Sequence, residues 1–193
     1  EPVTERRVFS IQGACFALSP DGAQLAVADG TDALLVAMPN GEVRARLTGH
    51  TAFISDLAMS QDGATLISGS LDGTARAHNI STGSLKYTVD HGDPIRFVRI
   101  SRDGKRILTA SVDCTIKVWN GAIGSPINTL RGHEIAEELF SAEFSPDGRR
   151  IASGAIDQTV KVWEADSSPG QRVVAAFDSP VKSASLSPDG KLA

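Results

Sequence analysis

Thr115-Ile116-Lys117-Val118-Trp119 and Thr159-Val160-Lys161-Val162-Trp163 are the two runs whose reading decides the fold. Each alternates polar and apolar residues with period two, which is the pattern of a half-buried strand. Each ends on a tryptophan six residues after an aspartate, Asp113 in one case and Asp157 in the other. Working outward, His91 and Thr109 stand before the first run, and His133 and Ser153 stand before the second in the same order. Four polar and aromatic positions recurring in order, with apolar alternation between them, indicate one supersecondary unit used repeatedly.

A four-residue turn measures the repeat. Ser19-Pro20-Asp21-Gly22 returns as Ser60-Gln61-Asp62-Gly63, Ser101-Arg102-Asp103-Gly104, Ser145-Pro146-Asp147-Gly148 and Ser187-Pro188-Asp189-Gly190, at spacings of 41, 41, 44 and 42 residues. Serine and aspartate cap such a turn through their side chains while glycine supplies positive φ, so each copy reverses the chain between extended segments. Between Pro94 and Leu130 four short runs fill one period: Ile95 to Ile100, Arg106 to Ala110, Thr115 to Trp119 and Ile127 to Leu130. No segment carries a helical period, so the unit is a four-stranded antiparallel meander. A sheet of this kind has two apolar faces, and stacking successive copies radially covers both. The fold class that follows is an all-β β-propeller.

Gly49-His50 and Gly132-His133, with Trp119-Asn120 and Trp163-Glu164, resemble the Gly-His and Trp-Asp pairs of the WD-repeat family, the final aspartate being replaced. The period also falls within the ~40 to 45 residues of that family. The resemblance runs through the whole chain and implies repeats at about 12–47, 48–89, 90–130 and 131–177, a truncated one at 178–193, and an outer strand of a preceding blade within 1–11, at Arg7 to Ile11. It also implies buried tetrads of histidine, strand hydroxyl, turn aspartate and tryptophan: His91, Thr109, Asp113 and Trp119; His133, Ser153, Asp157 and Trp163; and His50, Ser68 and Asp72 without a tryptophan. Neutral imidazole offers one donor and one acceptor, so it bridges carboxylate and hydroxyl and leaves the hydroxyl to accept from indole N–H. The hydroxyl four residues before the aspartate is assigned because that set (Ser68, Thr109, Ser153) is complete, whereas the set two residues before it (Ser70, Ser111, Ala155) is not.

The copies are unequal. The second repeat has His78 where tryptophan is expected, so its network is different or wetter. The first has Thr31, Val27 and Ala37 at the aspartate, hydroxyl and tryptophan positions, which leaves apolar packing alone. The fourth carries two extra residues in its entry loop, so that acidic Glu134 to Glu138 is expected to protrude. The sequence reaches Ala193 part-way through a fifth unit, and the expectation is a portion of a larger propeller, with the rest of the ring or another chain at the open edges.

A net charge of -4 with scattered arginines leaves no footprint for a nucleic-acid backbone. Cys15 and Cys114 match no metal-ligand spacing, which favours a reduced, intracellular compartment, cytoplasmic and compatible with the nucleus. No apolar run approaches the ~20 residues of a membrane span. Ser68, His50, His78 and Asp72 contain the parts of a hydrolase triad, but the repeat accounts for all four histidines. There is no Gly-x-Ser-x-Gly elbow and no phosphate loop, and Gly121-Ala122-Ile123-Gly124 lacks the lysine. The Asp-Gly pairs have no spaced acidic set after them, so they are turns rather than calcium loops. No catalytic residue, cofactor or metal is expected.

What remains is binding. In the resembling family, partners dock around the loops entering the first strand and the second-to-third turn. By position these are Phe53, Ser55 and Leu71; Pro94, Arg96 and Val112; and Glu138, Phe140 and Ile156. Leu71, Val112 and Ile156 are equivalent and apolar. They either form an exposed contact patch or pack on neighbouring blades. The function expected is a non-enzymatic scaffold presenting these loops to a protein or peptide. The alternatives are a sensor or autoinhibitory module of a larger signalling or nucleotide-switch protein, and a propeller enzyme with Asp56 and Glu143 in its channel.

Overall fold

In the computed structural model, which describes residues 15–133, 139–166 and 172–187, the chain forms four four-stranded antiparallel sheets. The first holds β1 (Phe16–Leu18), β2 (Gln24–Asp29), β3 (Asp32–Ala37) and β4 (Glu42–Leu47). The second holds β5 (Ile54–Met59), β6 (Thr65–Ser70), β7 (Thr74–Asn79) and β8 (Leu85–Asp90). The third holds β9 (Ile95–Ile100), β10 (Arg106–Ser111), β11 (Ile116–Asn120) and β12 (Pro126–Leu130), and the fourth β13 (Leu139–Phe144), β14 (Arg150–Ala155), β15 (Thr159–Glu164) and β16 (Arg172–Ala176). Each is a meander whose strands lie in chain order. In the third sheet the ends fall within one residue of the runs read from the sequence. The strand at Arg7 to Ile11, the Glu134 to Glu138 loop and the second strand of the fifth unit lie outside the described residues.

No sheet has a core of its own. Along a strand successive side chains point to opposite faces, and adjacent residues therefore belong to different apolar layers. Leu66 joins Ala26, Leu35 and Ile54 between the first and second blades, while Ile67 joins Ile95, Val98 and Trp119 between the second and third. Likewise Ile107 faces the second blade, and Leu108 joins Leu139, Ile151 and Trp163 between the third and fourth. Val181, Ala184 and Leu186 of the fifth unit cover Ala152 and Val160. The second strand of each blade is buried on both faces, as in β6, β10 and β14, whereas the outer strands β4 and β8 are mostly exposed.

The recurring turn has one geometry. Ser19, Ser60, Ser101 and Ser145 each donate from Oγ to the aspartate two residues on, at 2.5 to 2.7 Å. Each Oγ accepts the backbone N–H five residues on. The glycines that follow sit at φ near 70°, a conformation costly for any residue with a Cβ.

The first blade departs from the others at its β2–β3 turn. Asp29 pairs directly with Asp32, so only Gly30 and Thr31 form the loop, one residue fewer than Leu71-Asp72-Gly73. The shorter loop shifts the register: Val36 opposite Leu25, and not Ala37, occupies the place that Trp119 and Trp163 hold opposite Ile107 and Ile151. Nor is packing alone what holds this hairpin, since Arg46 donates to Asp29 and Asp32 at 3.0 and 2.8 Å across its end.

Close approach of blades dictates residue size. A Cβ at Gly69 would lie 2.6 Å from Val98 Cγ1 and 2.8 Å from Ile95 Cγ2. The next blade places Ala110 at the same register, and there Ala142 stands where Val98 stood. Gly69→Ala is expected to cost about 1–3 kcal/mol through overpacking. Urea denaturation of Gly69→Ala, Val98→Ala and the double variant should show the pair more stable than the two single losses predict.

Candidate interaction face and the networks beneath it

The polar networks lie between the sheets, beneath the face that carries the β2–β3, β6–β7, β10–β11 and β14–β15 turns. In the fourth blade the network is complete. His133 Nδ1 lies 2.7 Å from Asp157 Oδ2 and Nε2 lies 2.7 Å from Ser153 Oγ, while Trp163 Nε1–H donates to the same hydroxyl at 2.7 Å. Burial pushes the His133 pKa down, so the ring is neutral at neutral pH. Nδ1–H then donates to the carboxylate and Nε2 accepts from the serine. Burial disfavours the Asp157 anion, but hydrogen bonds from Thr159 and His133 outweigh it and hold the carboxyl well below its usual range.

In the second blade His50 makes the same two contacts, each 2.9 Å, to Asp72 and Ser68. His78 stands where the indole would be, and its buried Nδ1 has no hydrogen-bond partner, nor has Arg76 Nε. Burial first, then the charges of Arg76 and His50, lower the His78 pKa to about 4.

The third blade differs from the sequence expectation. His91 turns its ring the other way: Nδ1 meets Thr109 Oγ1 at 2.6 Å and Nε2 meets Thr115 Oγ1 at 2.9 Å. Asp113 is 3.6 Å from the ring, beyond hydrogen-bond range, and Thr115 donates to it at 3.0 Å. Thr115 thus stands between histidine and aspartate, and the relay runs from Trp119 N–H to Thr109, His91, Thr115 and Asp113. The entry loop differs as well. His50 and His133 follow glycines at φ 123° and 147°, whereas His91 follows Asp90 at the end of β8 and donates its own N–H to Gly73 O. The imidazole thus presents Nδ1 to the strand hydroxyl, where His50 and His133 present Nε2.

Three cations close these networks: Lys117 donates to the His91 carbonyl at 2.6 Å, Lys161 to the Gly132 carbonyl, and Arg76 packs over Gly49. At the inner strands Arg99 binds Asp56 Oδ2 at 2.7 Å and Glu143 Oε1 at 2.9 Å, tying three blades in one ladder. Both carboxylates weighed for a channel site are therefore engaged by one guanidinium. Among the described residues no group of three or more His, Cys, Asp or Glu is placed to hold a metal ion.

Above the networks, Leu71 N–H donates to Phe53 O at 3.0 Å and Val112 N–H to Pro94 O at 3.1 Å, which fixes each pair side by side. Phe53, Leu71 and Val112 are 67%, 44% and 43% exposed. Pro94, Arg96, Phe140 and Ile156 are half-buried, and Glu138 lies outside the described residues. Ser55 is half-buried, and its hydroxyl donates inward to Ile95 O at 2.6 Å and Gly69 O at 3.1 Å. Residues missed in the sequence are Arg99, Thr115 and the three cations. Arg76, Lys117 and Lys161 recur at one repeat position, a signal that was present but reads as a solvated strand face.

The sequence pattern of the WD domain, G-beta repeat, matches residues 41–79, 83–120 and 124–164, more than half of the chain. The chain belongs to the WD40 repeat family. Each matched WD40 unit starts at or beside an outer strand and ends at the third strand of the next sheet, as 41–79 takes β4 with β5 to β7. Similar proteins include COMPASS component SWD3 of Saccharomyces cerevisiae, 30% identical over 127 residues, 65% of this chain and 40% of that protein. Mouse apoptotic protease-activating factor 1 is 32% identical over 114 residues, 58% of this chain and 9% of that protein. Rice small ribosomal subunit protein RACK1y is 33% identical over 83 residues, 43% of this chain and 24% of that protein. The matched stretch thus spans less than half the length of these relatives. WD40 proteins of this kind generally act as protein-interaction scaffolds without catalysis of their own. Among the described residues no helix is long and apolar enough to cross a membrane.

Burial lowers the His91 pKa to about 4, as it does that of His78. An unfolded histidine titrates near 6.5, so between about pH 6.5 and 4 the unfolded chain binds protons that the fold refuses. Stability from urea denaturation is expected to fall as pH drops through that window, and His91→Asn is expected to flatten the slope.

Proposed function

We propose that this chain is a non-enzymatic scaffold that offers Phe53, Leu71 and Val112, with Pro94, Arg96, Phe140 and Ile156 around them, to a protein or peptide. The observation that carries this reading is the exposure of three large apolar side chains on one face, held by backbone hydrogen bonds rather than by packing. Water-exposed apolar surface on a rigid support is what a partner covers with the greatest gain. The engagement of Asp56 and Glu143 by Arg99 supports a reading without channel catalysis. On this reading the repeats divide near the ends of the outer strands β4, β8 and β12, and no nucleic acid or membrane is a direct ligand. Similarity to a COMPASS component and to a small ribosomal subunit protein supports a nuclear or cytoplasmic setting.

A second reading, a sensor or autoinhibitory module of a larger signalling protein, is favoured by the match to a 9% portion of apoptotic protease-activating factor 1. Both readings need the same surface. Leu71→Asp combined with Val112→Asp is expected to abolish capture of partners from cell extract while leaving the thermal midpoint within a few degrees, since surface substitutions cost about 0.5 kcal/mol or less. Unchanged capture by a folded double variant would remove this face from consideration.

A further inference from the structure

Repeats permit a comparison seldom available within one chain, because every blade-to-blade seam has register-equivalent positions that do the same job or fail to. At the inner end, blades two, three and four are tied by Asp56, Arg99 and Glu143. Ser55 reaches Ile95 O across the second seam, and Asp56 also accepts Val98 N–H there at 3.0 Å. In β1 the place of Arg99 is taken by Ala17, and the polar link to the second blade at this level is Cys15 Sγ at 4.0 Å from Ile54 O.

Mid-seam, Trp119 fills the space between blades two and three and Trp163 that between three and four, each donating to a buried hydroxyl. The equivalent residue is His78, opposite Leu66, which belongs to the layer between blades one and two. Its Nδ1 and Arg76 Nε are the buried side-chain polar atoms without a hydrogen bond among the described residues.

At the outer end, Tyr87 donates to Gly121 O at 2.5 Å and covers Gly124, and Asn128 donates to Glu164 O at 3.4 Å. The register-equivalent residue of the first blade is Ala45, which reaches no such partner. Instead a cavity of about 300 Å³ opens there, lined by Gln24, Arg44 and Ala45 on one side and Ile80, Ser81 and Gly83 on the other. Arg106 also clamps Asp166 across the third seam, an ion pair that neither the first seam, with Gln24 and Ser81 at those places, nor the second, with Thr65 and Ala122, possesses. The first seam keeps its apolar layer and the Ile54 N–H to Gly30 O bond of 2.9 Å.

We propose that the seam between the first and second blades is a joint built into the fold, at which the first blade parts as a unit while blades two to four stay together. Stability in repeat arrays is a sum of unit and neighbour-interface contributions, so the interface lacking its ties yields first and yields cooperatively. Phe53, the most exposed side chain of the interaction face, sits at the upper end of this joint, within reach of Gly30.

Native-state hydrogen exchange on the whole chain tests the proposal. Amides of β2 and β3 are expected to exchange together, at least about tenfold faster than those of β6, β10 and β14, through an opening whose rate rises with sub-denaturing urea. His78→Trp, which gives the first seam the indole of the other two, and Ala45→Tyr, which gives it the tyrosine of the second, should each slow exchange in β2 and β3 by about tenfold while leaving β10 and β14 unchanged. Tyr87→Ala should loosen the second seam instead and draw β6 and β7 toward the behaviour of the first blade. Equal protection of β2, β3 and β10 would overturn the proposal. So would faster exchange in β2 and β3 that neither seam-closing variant slows, since the opening would then belong to the first blade itself.

Discussion

A four-stranded sheet with two apolar faces has nowhere to bury either one within itself, and everything in this molecule follows from that. The core is not a centre but a series of layers between sheets. The alternation of strand side chains assigns neighbouring residues, such as Leu66 and Ile67 or Ile107 and Leu108, to different layers. Each sheet is therefore stable only through its neighbours. Side-chain size is set across seams as well, which is why Gly69 faces Val98 while Ala110 belongs to a seam that has Ala142 in the equivalent place.

Apolar layers alone would hold sheets together without fixing their register or angle. The buried networks supply that second constraint. A histidine from the entry loop, a hydroxyl from the second strand, a turn aspartate and an indole from the third strand meet only in one arrangement, and a member left without its partners costs roughly 1 to 3 kcal/mol. The fourth blade meets the condition with all four groups, the third with a threonine inserted, and the second with a histidine whose Nδ1 is left unpaired. The three versions show that the network tolerates a change of route but not loss of the indole without an orphaned atom.

The fold was legible because its signal is repeated. Period-two runs, a serine-aspartate-glycine turn every 41 to 44 residues and a recurring histidine and tryptophan leave few other architectures. What was not legible depends on single-residue differences between the copies. The Gly30-Thr31 loop moves Val36 into the place assigned to Ala37, and His91, which follows Asp90 and not a glycine, turns Nδ1 to its strand hydroxyl. The first repeat has no aspartate or tryptophan against which a shortened loop could be counted, and the third keeps its spacings from His91 to the turn and from Asp113 to Trp119, so counting residues could not reveal either change. The Arg99 ladder was hidden for another reason: Arg99 and Glu143 share one register position with opposite charge while Asp56 stands two residues earlier in its strand, so comparison of repeats shows no conserved residue type there. On the candidate face, Leu71 and Val112 are more exposed than Ile156, and the hydroxyl of Ser55 turns inward, neither of which position in the repeat reveals.

Rigidity and recognition occupy different parts of each repeat for a physical reason. Imidazole, carboxylate and hydroxyl groups at the networks are already saturated by one another, so they have no hydrogen-bonding capacity left for a partner, and desolvating them again would gain nothing. The residues just beyond them, Phe53, Leu71 and Val112, have the opposite character: their backbones are fixed by the ladder that the networks stabilise, while their side chains remain in water. A partner that covers them meets a surface whose ordering entropy was lost on folding, which is the condition for a small apolar patch to bind at all. The upper face therefore derives its capacity from the seams beneath it, and a seam that lacks its ties, as the first does beside Phe53, is where binding and opening share the same residues.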